Sequence, residues 1–97
     1  MPTKAAGASE PVSLVPERFI ERQFGLAVRR LREQRRWSQE RLAAEAVLNR
    51  SYLGEVERGS VAASITTAAK LAQALDVRLA DLLLQCEPAA APPGPAS

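Results

Sequence analysis

Residues 38–59 read Ser38-Gln39-Glu40-Arg41-Leu42-Ala43-Ala44-Glu45-Ala46, then Val47-Leu48-Asn49, then Arg50-Ser51-Tyr52-Leu53-Gly54-Glu55-Val56-Glu57-Arg58-Gly59. Ser38 is a strong helix N-cap, because its hydroxyl can accept a hydrogen bond from an early helix N–H, and Glu40 suits the positive end of the helix dipole. A short helix is therefore expected over Gln39–Ala46, with Leu42, Ala43 and Ala46 on its apolar face. Val47-Leu48-Asn49 interrupts that pattern, and Asn49 supplies a second cap. A second short helix is expected over Arg50–Arg58, with Leu53 and Val56 inward and Gly59 ending it where a left-handed residue is wanted.

Outward from this pair, Phe24, Ala27, Val28 and Leu31 recur at i, i+3, i+4 and i+7, one face of a helix expected from about Glu17 to Arg36, with Pro16 suited to its first turn. Gly25 within it costs about 1 kcal/mol relative to Ala, which predicts less regular opening turns. Downstream, Ser64 is a third cap, and Ile65, Ala68, Ala69, Ala72 and Leu75 repeat at helical spacing. Asp76-Val77-Arg78 breaks that helix, and Leu79, Leu82 and Leu83 mark a last short one. Five helices and no strand are expected, an all-α fold in agreement with an apolar composition of 18 Ala and 12 Leu against only 9 Val and Ile together.

The seven prolines all lie outside Glu17–Glu87, so that the domain is expected at 17–86, with flexible tails at 1–16 and 87–97. The chain of 97 residues has no His and one Cys, Cys86. That census removes Cys/His zinc sites, His-activated nucleophiles and an intramolecular disulfide, so neither metal, cofactor nor enzymatic activity is expected. No apolar run approaches a membrane span and Lys4 is not followed by a secretory apolar stretch, so a soluble cytoplasmic protein is expected. Cys86 reads most simply as a small residue at the domain end.

The net charge of +2 is unevenly placed: residues 17–60 hold ten Lys and Arg against seven acids. Arg29, Arg30, Arg32, Arg35 and Arg36 crowd into eight residues, a density that suits either phosphate contacts or a solvated helix face. Two short helices joined by a three-residue turn and preceded by a basic helix form a helix-turn-helix pattern. Their close crossing asks for a small residue, met by Ala43, and for apolar filling, met by Leu42, Ala46, Leu48, Leu53 and Val56.

Ser38-Gln39-Glu40-Arg41-Leu42-Ala43, Asn49-Arg50-Ser51-Tyr52-Leu53, Val56-Glu57-Arg58-Gly59, Lys70-Leu71-Ala72-Gln73-Ala74-Leu75 and Leu79-Ala80-Asp81-Leu82-Leu83 together resemble the Cro/C1 (XRE-type) helix-turn-helix family, over roughly Phe24–Leu84. The start and end of the third helix are also similar to controller proteins of restriction-modification systems. The resemblance implies a compact lambda-repressor-like domain that regulates transcription by binding double-stranded operator DNA. It places the third helix in the major groove, with Arg50, Ser51, Gly54 and Glu55 at base edges. Gln39 falls where relatives contact phosphate and brace the first recognition residue. Phosphate positioning is expected from Arg35, Arg36, Ser38, Asn49, Tyr52, Arg58 and Ser60. Glu57 stands where relatives keep an acid that pairs with the first helix, with Arg32 the expected partner, and Trp37 is expected to pack rather than stack on bases.

Leu79, Leu82, Leu83 and Leu84 give the last helix more apolar surface than one face can hide. They form a candidate homodimer interface, which implies a palindromic operator. Protein partners compatible with this reading are RNA polymerase or a toxin. An alternative of another class is an antitoxin or similar interaction module whose DNA binding is secondary. The sequence departs from the family where Gly is usual: at Val47, where a β-branched residue is expected to be strained or to force another turn, and at Arg36 and Asp76. Ala63 stands where Pro is frequent, which predicts a looser loop after the third helix.

Overall fold

The computed structural model describes residues 17–88, which form five helices and no strand. They are α1 (Phe19–Gln34), α2 (Gln39–Ala46), α3 (Arg50–Arg58), α4 (Ile65–Ala74) and α5 (Leu79–Leu84). The expected tails, 1–16 and most of 87–97, lie outside the described residues, as does Pro16. α1 packs on α3 and α5, α2 packs on α3 and α4, and α5 closes against α4. The core is a single cluster in which Leu42, Leu53, Leu71, Leu75, Leu82, Val28 and Val56 are fully buried.

The expected caps hold. Ser38 Oγ accepts from the Arg41 N–H at 3.0 Å, Asn49 Oδ1 from the Tyr52 N–H at 3.1 Å, and Ser64 Oγ from the Thr67 N–H at 3.0 Å. Helix ends follow a common closure. After α1, α2, α3 and α4 one residue turns left-handed: Arg36 (φ 59°), Val47 (φ 56°), Gly59 (φ 76°) and Asp76 (φ 59°). The next N–H then reaches back five residues, Trp37 to Arg32 O, Leu48 to Ala43 O, Ser60 to Glu55 O and Val77 to Ala72 O, at 3.1, 2.8, 3.1 and 2.9 Å. This is the Schellman closure, with apolar Trp37, Leu48 and Val77 folded onto the core behind it.

Three expectations change, and a fourth, at Val47, is decided for strain. α1 is shorter than 17–36, because Arg18 (φ 61°) and Arg36 break the helical backbone at its two ends. α4 buries Ala68, Leu71, Ala72 and the following Leu75, while Ile65 and Ala69 face outward; the inward stripe begins one turn after the cap. Val47 does not force another turn: it takes the left-handed conformation itself, 78% exposed. Leu82 is 0% exposed, and Leu79 is half-buried against the same core. Leu82 therefore belongs to the protomer's own interior and cannot line a dimer interface, leaving Leu83 and Leu84 exposed.

Gly25 matters for packing, not for irregularity. A Cβ there would meet the Val56 carbonyl oxygen, and would lie 2.6 Å from the Glu57 carbonyl oxygen. α1 thus crosses the backbone of α3 at a distance only glycine permits. Cys86 packs at the domain end with Sγ 3.7 Å from Leu82 O, and burial pushes its thiol pKa up.

Gly25→Ala, which favours an isolated helix by about 1 kcal/mol, is expected here to destabilise by at least ~2 kcal/mol, because rigid backbone must move. Val47→Gly is expected to do the opposite. Relief of left-handed strain at an exposed side chain outweighs the entropy of glycine by about 1 kcal/mol, raising Tm by roughly 4–8 °C in a domain of this size. Thermal melts of the two variants check both signs.

Candidate nucleic-acid interface

α3 is held to the rest of the domain through one carboxylate. Arg32 of α1 forms a two-point pair with Glu57, Nε to Oε2 at 2.7 Å and Nη2 to Oε1 at 2.9 Å. The two side chains are only 13% and 3% exposed. Arg32 Nη1 also donates to the Trp37 carbonyl at 3.0 Å, and Gln39 Nε2 of α2 donates to Glu57 Oε1 at 2.9 Å. Hydrogen bonding to Glu57 holds the Arg32 guanidinium above its ordinary pKa, against the opposing effect of burial. The expected Arg32–Glu57 pairing is therefore present, and it orients three helices at once.

With Glu57, Leu53 and Val56 turned inward, α3 presents Arg50, Ser51, Glu55 and Arg58 outward, all exposed. Gly54 lies on the same side but is buried: an added Cβ would sit 3.3 Å from Arg58 Nη1 and 3.9 Å from Gln39 Oε1. It forms a floor under those two polar side chains. Gln39 is half-buried over this floor and is bound to Glu57. The bracing partner of Arg50 is instead Glu40, whose Oε2 lies 2.9 Å from Arg50 Nε. Gln39 thus corrects to a brace of Glu57: the buried carboxylate offers its amide a stronger acceptor than the solvated start of α3.

The other expected phosphate residues ring this surface. Ser38 and Asn49 are exposed caps at the starts of α2 and α3. Tyr52 is half-buried with its ring against the core. Ser60 Oγ donates to Glu55 O at 3.1 Å, while the Ser60 carbonyl accepts from Arg18 Nη1 at 3.0 Å. Arg36 is exposed at the α1–α2 junction. Arg35 is drawn elsewhere, donating to the Leu75 carbonyl at 2.9 Å and lying 5.1 Å from the Trp37 ring centre. Arg41 covers the same ring at 4.6 Å. Trp37 packs against the core between these cations.

The arginine run of α1 is therefore mostly engaged in contacts within the domain. Arg29 pairs with Glu33 at 3.0 Å, Arg30 donates to Gln85 at 3.2 Å, and Arg32 and Arg35 are bound as above. Sequence reasoning did not find the roles of Arg18, Arg41 and Gly25. Only Gly25 carried a signal, a glycine in the middle of an otherwise regular amphipathic helix.

An inward-anchored second helix exposing a polar, partly basic row, with its start beside that of the first helix, defines a helix-turn-helix DNA-binding regulator. A helix-turn-helix family profile matches residues 28–82, and the chain belongs to that family, of Cro/C1 type. It is 41% identical over 61 residues to control protein C.BamHI of Bacillus amyloliquefaciens, covering 62% of this chain and 75% of that protein. The restriction-modification controller protein C.AhdI of Aeromonas hydrophila is 44% identical, with a TM-score of 0.62 over 64% of this chain and 94% of that one. The clp gene regulator ClgR of Corynebacterium glutamicum is 30% identical, with a TM-score of 0.68 over 73% and 76% of the two chains.

Arg32→Ala is expected to destabilise the domain by about 3 kcal/mol, because Glu57 is left buried and charged without its partner. Replacing both residues, Arg32→Met with Glu57→Met, is expected to recover part of that loss. Urea unfolding of the single and double variants reads the difference.

Proposed function

We propose that this chain regulates transcription as a homodimer on a palindromic double-stranded operator, with α3 in the major groove. Arg50, Ser51 and Glu55 read base edges; Gly54, expected among them, is buried beneath Arg58 and Gln39 and is left out of the contact row. Arg50 suits guanine O6 and N7, Glu55 a cytosine N4 amine, and Ser51 several bases. Gln39, Arg36, Ser38, Asn49, Tyr52, Arg58 and Ser60 position the domain on phosphates, helped by the backbone N–H groups at the start of α2, while Arg35, expected among them, is held by the Leu75 carbonyl. Residues 17–86 act as the folding unit, in the cytoplasm.

The observation that carries this reading is the exposed row Arg50, Ser51, Glu55 and Arg58 on a helix whose opposite face is pinned by Glu57. The 44% identity to C.AhdI across 94% of that controller protein supports control of a restriction-modification system as its biological setting.

The dimer rests on apolar surface that one protomer leaves uncovered. Leu83 and Leu84 are exposed on α5, Leu84 by 63%. Leu83 also borders an apolar groove of about 370 Å³ with Ile20, Phe24 and Ile65. A domain of this size buries only about 60% of its unfolded surface, so covering that face adds substantially to its stability. A palindromic operator requires the two α3 helices of such a dimer to lie about 34 Å apart, one turn of DNA.

Fluorescence anisotropy on duplex DNA from upstream of the protein's own gene, at two salt concentrations, tests the reading. Tight binding that weakens steeply with salt is expected, and Arg50→Ala is expected to lower discrimination against random sequence by ~1–3 kcal/mol. Binding without sequence preference would overturn it and favour the antitoxin alternative. Leu83→Asp with Leu84→Asp is expected to convert the dimer to a folded monomer, read by sedimentation velocity, with an accompanying loss of operator affinity.

A further inference from the structure

The residue that faces Arg50 belongs to the neighbouring helix. Glu40, in the first turn of α2, and Arg50, the first residue of α3, meet at 2.9 Å with side chains 66% and 55% exposed. An exposed pair of this kind contributes little to stability, since water screens it and two long side chains must be ordered. Nor does it favour DNA affinity as such: an anion beside two helix starts that approach phosphates repels the duplex and cancels one cation. Its placement is the informative feature, because the cation it engages is the one best suited to read guanine.

We propose that Glu40 is the specificity-determining positioning residue of this interface: it holds the Arg50 guanidinium across the α2–α3 junction, away from indiscriminate phosphate contacts and in place for a guanine edge. The inference rests on the major-groove reading of α3 given above. Three features support it. Gln39, the neighbouring candidate for the bracing role, is committed to Glu57 at 2.9 Å. The contact to Arg50 runs through Nε, and a guanidinium held there still has its two terminal nitrogens to offer as the paired donors that guanine O6 and N7 require. The backbone N–H of Glu40, and after it the charge of Arg50, hold the Glu40 carboxyl below the usual carboxylate range, so that the group is anionic wherever DNA binding is measured.

The energetic logic is a difference between two states. On random sequence, Arg50 gains a phosphate contact only by leaving Glu40, so non-specific binding is penalised. On the operator, Arg50 reaches the base without leaving its partner, and its ordering has been achieved before binding.

The test uses the full chain and four proteins: wild type, Glu40→Gln, Arg50→Ala and the double variant. Each is titrated against a duplex enriched from a random pool by the wild type, and against a random-sequence duplex of the same length at the same salt. Glu40→Gln keeps the size of the side chain at an exposed position, and its melt is expected to show a folded domain with only the small loss that follows from removing a charge at the helix start. Random-sequence affinity is expected to rise severalfold in Glu40→Gln while the operator-to-random ratio falls about tenfold. In the Arg50→Ala background the same substitution is expected to leave that ratio unchanged.

A wild-type ratio in Glu40→Gln, or an equal effect with and without Arg50, overturns the inference. If Arg50→Ala lowers the ratio and Glu40→Gln does not, only the role of Glu40 fails. If Arg50→Ala keeps the wild-type ratio, or the wild type enriches no sequence, the major-groove reading fails and takes this inference with it.

Discussion

The Arg32–Glu57 pair is the contact on which the geometry of the DNA-facing surface depends. Glu57 accepts two hydrogen bonds from α1 and one from α2, while the third arm of Arg32 holds the Trp37 carbonyl in the turn between those helices. The rotation of α3 about its own axis is fixed from behind as a result. A buried ion pair adds little net stability compared with apolar residues of the same volume. What it supplies here is orientation, because a two-point guanidinium–carboxylate contact tolerates little rotation. Gly25 acts on the same joint, bringing the α1 backbone against the carbonyls of Val56 and Glu57, so that the pair forms at short range.

Helices this short have few internal hydrogen bonds, and their ends carry much of the structural information. The repeated left-handed closure at Arg36, Val47, Gly59 and Asp76 reverses the chain after each of the first four helices, and at Arg36, Val47 and Asp76 it folds an apolar residue back over the core. Only one of the four is glycine. The three others accept backbone strain of about 1–2 kcal/mol each, offset by burial behind the turn. Val47 is the extreme case, being β-branched and exposed.

The distribution of charge follows from this packing. The arginines of α1 are largely taken up by glutamates, a glutamine and a backbone carbonyl. The surface that faces DNA in the proposed complex draws instead on α3 and on the junctions between helices. It contains two acids, Glu40 and Glu55, as well as bases, which fits a surface built for discrimination more than for affinity.

Helix positions were legible from local chemistry: Ser38, Asn49 and Ser64 cap with side chains that reach only nearby N–H groups, and α2 and α3 begin and end at the expected residues. Leu42, Leu53 and Val56 were legible as core for the same local reason, the helical period. The boundaries of α1, the exposure of Ile65 and the burial of Leu82 were not, since each depends on what lies across from the helix. The motif identified Arg50 and Glu57 as important positions, whereas charge alone left the arginine run open between phosphate contacts and a solvated helix face. Sequence by itself determined the five helices and the family, and the resemblance implied the Arg32–Glu57 pair. Only tertiary structure decided that Gln39 braces Glu57, that Glu40 holds Arg50, and that Gly25 is a crossing point. The physical reason is range: capping and periodicity act within one or two turns, whereas the partner of a long charged side chain depends on how separate helices pack.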